Sequence, residues 1–118
     1  QSSTMAFLNT VKLDHAVWKH HVYQLIQEQR FSESVNAHSE CRLGKWYFEG
    51  EGKKRYSGMR SFQQLDTPHK AVHQCGRDAL SAGLRGDHQA MQQALIQMEQ
   101  SSQQVTDLIT QLQQEIWA

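Results

Sequence analysis

The sequence predicts an all-α fold: an antiparallel four-helix-type bundle with a short extra helix that carries Cys41. Apolar residues recur with heptad spacing near both ends of the chain, which is typical of helices that bury one face. The chain has one proline, and no stretch shows the period-two alternation of a β-strand. A chain of 118 residues forms about one domain, so we expect residues 1–118 to fold as a single unit.

The first predicted helix extends from Ser3 to about Arg30. Its buried face follows steps of three and four residues, which keep one side of a helix against a neighbour. This seam consists of Leu8, Val11, His15, Trp18, Val22 and Leu25. The polar member, His15, needs partners for both ring nitrogens if it is buried.

The middle of the chain is predicted to be irregular. Residues 31–39 are rich in Ser and Asn and form a loop, with Ser39 as the N-cap of a short helix over about residues 40–48. The Gly-rich and charged residues 49–57 predict a second loop. A short helical stretch over residues 58–65 follows.

Pro68 predicts the start of the next helix. Thr67 is a good N-cap, and proline at the first helical position loses no hydrogen bond. This helix should end near Leu84, in the Gly-containing residues 83–86.

The last helix is predicted to extend from Asp87, its cap, to Trp117. Its seam is Met91, Leu95, Met98, Ser102, Val105, Ile109, Leu112 and Ile116.

The composition excludes several classes of protein. Twelve Lys and Arg balance twelve Asp and Glu, which argues against a nucleic-acid-binding module. No apolar run approaches the length of a membrane helix, and no signal peptide is visible. We expect a cytoplasmic protein in which Cys41 and Cys75 are reduced, with a single disulfide between them as the alternative.

Charge is unevenly distributed along the chain. Residues 42–60 hold six Lys and Arg against two Glu, and residues 87–118 hold four acidic residues and no Lys or Arg. We expect both segments to be solvated surfaces. The alternative is that each docks on a partner or on a second copy of the domain.

Three histidines and one cysteine suggest a metal site. His69 and His73 are spaced i, i+4, so both imidazoles lie on one helix face. Gly44 predicts a close approach of another backbone, which would bring Cys41 towards the core and His15. Three His and one Cys form a complete tetrahedral set for Zn²⁺. Hydrogen-bonded core histidines and a buried thiol are the alternative.

Other residues near these candidates have weaker assignments. His38 is expected to be a surface residue, with a role as a substitute ligand as the alternative. Asp14 is a candidate acceptor for a hydrogen bond from a ligand imidazole. Trp18 and Trp46 are expected to pack around the site, and Cys75 is expected to face away from it.

Three motifs together resemble the chemoreceptor zinc-binding domain family. They are Asp14-His15-Ala16-Val17-Trp18-Lys19, Cys41-Arg42-Leu43-Gly44-Lys45-Trp46 and Pro68-His69-x-x-Val72-His73. Their order and approximate spacing agree with the family over nearly the whole chain. The resemblance implies one Zn²⁺ held by His15, Cys41, His69 and His73 in a small bundle that tends to form homodimers.

The resemblance also implies a function. Members are regulatory domains of bacterial cytoplasmic signalling proteins, mostly chemoreceptors and in some cases diguanylate cyclases. It implies a sensor of zinc or of hypochlorous acid, with Cys41 as the redox-reactive group and an output domain of the parent protein as its partner.

Two other functions remain open at this point. A hydrolytic zinc enzyme is disfavoured, because four protein ligands leave no position for an activated water, and H-K-A-V-H lacks a glutamate base. We therefore do not expect an enzyme. A purely structural zinc bundle that mediates dimerisation is the second alternative.

Overall fold

The computed structural model describes residues 2–118, so Gln1, the first residue of the predicted domain, lies outside the described residues. The bundle is 48 Å long and 19 Å across. Its helices are α1 (Ser2–Gln27), α2 (Arg42–Phe48), α3 (Glu51–Tyr56), α4 (Arg60–Leu84) and α5 (His88–Trp117). Residues 2–118 contain no β-strand, which confirms the all-α prediction. None of these helices has the length and apolar character needed to cross a membrane.

The heptad seams of the two terminal helices face the core as predicted. All seam residues of α1 are buried except Trp18, which is half-buried. The seam of α5 is buried from Met98 to Leu112 and half-buried at its ends. The most extensive helix contact is between α4 and α5, and apolar side chains from α1 and α2 join the same core.

Polar side chains align α1 along α5. The contacts are Asn9 with Gln113 at 2.9 Å, Lys12 with Thr110 at 2.8 Å, and Lys19 with Glu99 at 2.8 Å. Because His15 lies between these contacts in α1, they help to fix its position along the bundle axis.

The turn between α4 and α5 follows the predicted glycine signal. Gly86 has a φ of +74°, and its N–H donates to the Gly83 carbonyl. The Asp87 N–H donates to the Ala82 carbonyl, which completes a Schellman motif. Asp87 then caps α5 by accepting a hydrogen bond from the Ala90 N–H at 3.0 Å, as the sequence predicts.

Replacing Gly86 with alanine is expected to lower the free energy of unfolding by about 1 kcal/mol, because an L-residue is strained in the left-handed region. A Cβ at Gly86 would contact nothing within 4 Å, so backbone strain is the whole effect. Urea denaturation of the two proteins measures the difference. An unchanged midpoint would contradict the assignment of this conformation.

The predicted loop over residues 49–57 is wrong, since α3 occupies most of it. Gly52 is buried in α3, where a Cβ would lie 2.5 Å from the Trp46 ring, and Tyr56 is buried one turn later. The glycine therefore allows close packing against an indole and does not mark a loop.

The predicted helix start at Thr67 is also wrong. Helix α4 begins at Arg60 and continues through Pro68, which is buried. Pro68 removes the hydrogen bond to the carbonyl of Gln64. Gln64 is exposed, so water can bind that carbonyl. Leu65 precedes Pro68 and Val72 follows it, and both side chains are fully buried. Their burial holds the two halves of α4 in one helix.

The short helix with the cysteine starts two residues later than predicted. Cys41, and not Ser39, is the N-cap residue of α2. Gly44 provides the predicted close approach, because a Cβ there would lie 2.0 Å from the His38 carbonyl oxygen. The first turn of α2 therefore lies directly on the backbone of the loop that precedes it.

Candidate metal centre

The fold brings together the four side chains that the sequence singles out. One ligand atom each from His15, Cys41, His69 and His73 lies within 4.8 Å of the others. His15 comes from α1, Cys41 from the start of α2, and His69 and His73 from successive turns of α4. The Cys41 Sγ lies 3.3 Å from the His69 Nε2.

Backbone carbonyls orient two of the imidazoles. The His15 Nδ1 lies 3.1 Å from the Val11 carbonyl oxygen, and the His73 Nδ1 lies 3.0 Å from the Asn36 carbonyl oxygen. A carbonyl only accepts hydrogen bonds, so each Nδ1 carries the proton and each Nε2 keeps its lone pair. Metal-bound histidines are commonly oriented in this way.

The buried Nε2 atoms of these two rings fit a metal ion. Neither the His15 Nε2 nor the His73 Nε2 has a hydrogen-bond partner, although both are buried. An unsatisfied buried polar group lowers folding stability by about 1–3 kcal/mol. The metal-free fold bears this cost twice, once for each Nε2 lone pair. Together with a thiol and a third imidazole, they match the donors and the coordination number of Zn²⁺.

The same burial keeps the imidazoles neutral. Desolvation lowers the pKa of His69 to about 2 and the pKa of His73 to about 4, and the neighbouring imidazoles add to the effect. Desolvation also lowers the pKa of His15, although its bond to the Val11 carbonyl opposes this. All three rings are therefore neutral at pH 7, which is the form that binds metal.

The metal-free domain is expected to lose stability as the pH falls from about 6.5 towards 4. An unfolded histidine binds a proton near pH 6.5, whereas folded His73 remains neutral until about pH 4. Each proton that the unfolded chain binds and the folded chain does not lowers the free energy of unfolding by about 1.4 kcal/mol for each unit by which the pH falls. Urea denaturation of the chelator-treated domain between pH 7.5 and 5 measures this slope.

The matched variant for this measurement is His73→Gln, which removes one of the titrating rings. Its stability should depend less steeply on pH, by about one proton. A slope equal to that of the parent would show that His73 is already protonated in the folded state.

Burial acts on the cysteine in the opposite sense. Desolvation raises the pKa of the Cys41 thiol, while the backbone amides of Gly44 and Leu43 at the start of α2 act against this shift. The Sγ lies 3.4 Å from the His38 carbonyl, to which the protonated thiol donates. The metal-free chain therefore favours a thiol, and a bound cation is needed to favour the thiolate.

Two alternatives that the sequence leaves open beside the site are not seen in the structure. Asp14 does not accept from a ligand imidazole; both its carboxylate oxygens bind Arg42, at 2.9 and 2.6 Å. His38 is not part of the donor cluster; its Nε2 lies 3.1 Å from the Asp66 carboxylate, and its ring lies edge-on to His69. In both cases a nearby charged side chain offers a partner outside the cluster, which sequence spacing alone does not reveal.

Trp18 forms a wall of the site, as the sequence predicts. Its ring centroid lies 4.3 Å from that of His73, and a Cβ at Gly76 would lie 2.5 Å from the indole. Trp18 therefore fits against α4 because residue 76 has no side chain. The role of Gly76 has no separate signal in the sequence.

An open groove of about 440 Å³ leads from the surface to the donor cluster. Asp14, Arg42 and Trp18 contribute to its walls, and His15, Cys41 and His73 also line it. The second cysteine, Cys75, lines a different cavity between α4 and α5. This agrees with the prediction that Cys75 faces away from the site, and neither cysteine forms a disulfide.

Comparison with known families agrees with this geometry. The model of the chemoreceptor zinc-binding domain matches residues 15–80, a segment that begins at His15 and contains Cys41, His69 and His73. No curated protein and no solved structure matches the chain significantly. The match covers more than half of the chain, and the donor cluster suits the metal that gives the family its name. The chain therefore belongs to the chemoreceptor zinc-binding domain family.

Proposed function

We propose that this chain is a non-catalytic sensory domain that holds one Zn²⁺ through His15, Cys41, His69 and His73. The observation that carries the proposal is the convergence of four ligand atoms within 4.8 Å, from segments far apart in sequence. Four protein ligands complete a tetrahedral sphere and leave no position for an activated water. Bound zinc supplies electrostatic stabilisation of a thiolate.

The proposed signal is oxidation of Cys41, which faces an open groove. Its thiolate attacks the oxygen of hypochlorous acid: an S–O bond forms, the O–Cl bond breaks, and chloride leaves with the electron pair. Sulfur is oxidised by two electrons to a sulfenic acid, and the hydroxyl hydrogen stays on the transferred oxygen. The modified sulfur is a weaker ligand, so the start of α2 is released from α1 and α4.

The context that we propose is a bacterial cytoplasmic signalling protein, most directly a chemoreceptor. Residues 1–118 would act as one domain that passes its state to an output domain of the parent, within a homodimer. Regulation of a diguanylate cyclase by the same domain is the alternative. The basic segment over residues 42–60 and the acidic α5 offer complementary surfaces for such contacts.

Metal analysis of the purified domain tests the zinc assignment. We expect one equivalent of zinc in the parent protein and much less in Cys41→Ala, with Cys75→Ala as the matched control that retains it. Absence of stoichiometric zinc in the parent would overturn the proposal. If chelation unfolds the domain completely, its zinc is structural and the sensory function is wrong.

Mass spectrometry after brief treatment with hypochlorous acid tests the redox step. Cys41 should gain one oxygen before Cys75 does, and zinc should appear in a colorimetric chelator over the same time course. Oxidation of Cys75 first, or retention of zinc after oxidation of Cys41, would contradict the oxidant version.

A further inference from the structure

An ion pair joins the chain neighbours of two candidate ligands. Asp14 precedes His15 in α1, and Arg42 follows Cys41 in α2. The Arg42 Nε and Nη2 each donate to one carboxylate oxygen of Asp14, at 2.9 and 2.6 Å. This parallel, two-bond geometry fixes orientation as well as distance.

The two ends of α2 are held differently. Near its C-terminal end, the Tyr47 hydroxyl donates to the Phe62 carbonyl at 2.8 Å, and the two rings stack at 4.1 Å. At its N-terminal end, the Cys41 side chain makes no capping hydrogen bond, and the Cys41 carbonyl accepts from the Lys45 N–H. Within residues 2–118, the side-chain hydrogen bonds that join α1 to α2 are the two from Arg42 to Asp14.

This arrangement leaves α2 anchored on α4 through Tyr47 at one end. At the other end the ion pair joins it to α1, and the Cys41 Sγ lies 3.3 Å from the His69 Nε2 of α4. The Arg42 side chain is 61% exposed and the Asp14 side chain is 30% exposed, so the pair lies at the surface and is accessible to water. Exposed pairs contribute little to global stability. Orientation of a metal ligand, however, responds to small displacements of its supporting groups.

We propose that the Asp14–Arg42 pair is a latch that holds Cys41 towards His15 and sets how fast Cys41 leaves the metal centre. The inference rests on the proposed zinc site and adds positioning residues that do not themselves contact metal. Loss of the latch lets the start of α2 move away from α1, while the Tyr47 end remains in place. Zinc release then accelerates without loss of the fold.

Transfer of zinc from the loaded domain to a chromophoric chelator, under reducing conditions, tests the latch. We expect Arg42→Gln and Asp14→Asn each to accelerate release by about two- to fivefold, the effect expected for loss of an exposed ion pair. The double variant should release zinc no faster than either single variant, because both remove the same contact. Arg30→Gln is the matched control: it removes an exposed arginine that pairs with Glu28 and Glu33, away from the site.

Two further measurements separate positioning from general weakening. The thermal midpoints of the metal-free variants should match that of the parent, and the thiolate absorption band of cobalt-loaded Arg42→Gln should change in shape or intensity. Release at the parental rate, or additive effects in the double variant, would overturn the latch. A parent that binds no zinc would instead overturn the proposed function on which the latch rests.

Discussion

Replacement of His69 with alanine is expected to lower the affinity for zinc by at least about a hundredfold. His69 is 2% exposed, and its Nε2 lies 3.3 Å from the Cys41 Sγ. Structural zinc sites bind with about 10–16 kcal/mol, so one of four donors contributes about 3 kcal/mol. Each 1.4 kcal/mol changes an equilibrium constant about tenfold. Competition with a chromophoric chelator at pH 7 measures the affinity.

His38→Ala provides the control for this experiment. His38 lies beside His69, with ring centroids 5.4 Å apart, but its Nε2 is paired with Asp66. The affinity of His38→Ala for zinc should stay within about a factor of three of the affinity of the parent. Equal losses in the two variants would show that His38 belongs to the coordination sphere and that the four-ligand assignment is wrong.

Replacement of Gly44 with alanine is expected to destabilise the domain by about 3 kcal/mol and to displace Cys41. The added Cβ would lie 2.0 Å from the His38 carbonyl oxygen and 2.8 Å from the Ser39 Cα. Both are backbone atoms, which cannot rotate away as a side chain can, so the loop or α2 must move. Urea denaturation and zinc affinity should both report the change.

Gly58→Ala is the matched control for Gly44→Ala. A Cβ at Gly58 would meet nothing within 4 Å, and its φ is not in the left-handed region. Stability should therefore change by less than about 0.5 kcal/mol. If Gly44→Ala were as stable as Gly58→Ala and bound zinc normally, the close contact between α2 and the preceding loop would not exist in solution.

The long helices were predictable because their signals are redundant. In α1 and α5 several apolar residues repeat the same spacing, so one polar member such as His15 or Ser102 does not hide the seam. The turn at Gly86 was predictable because few residues adopt its backbone conformation. These signals depend on local sequence, and tertiary contacts reinforce them.

The errors fall where tertiary packing overrides a local signal. A proline usually marks a helix start, yet buried residues before and after Pro68 keep α4 continuous. A glycine usually marks a loop, yet Gly52 lies in a helix and leaves space for the Trp46 ring. Both outcomes depend on partners distant in the chain, which a single sequence does not specify.

The candidate donors were predictable from residue type and helix face, but their support was not. The spacing of His69 and His73 places both rings on one face, whatever surrounds them. The orientation of His73 depends on the Asn36 carbonyl, a backbone group in a loop that any residue would provide. The partner of Asp14 depends on how α2 crosses α1, and this crossing angle is a property of the fold.

Cys41 lies within a long segment, between the end of α1 at Gln27 and the start of α4 at Arg60, that contains only two short helices. Holding the sulfur in place divides this segment into two closed loops. Closing a loop of this size costs about 2 kcal/mol of chain entropy, and the cost grows only slowly with loop length. The proposed ligand bond would therefore work against the conformational freedom of the segment, and release of the sulfur would regain part of that entropy. In the proposed switch, the chain itself would thus supply some of the driving force for release of the sulfur.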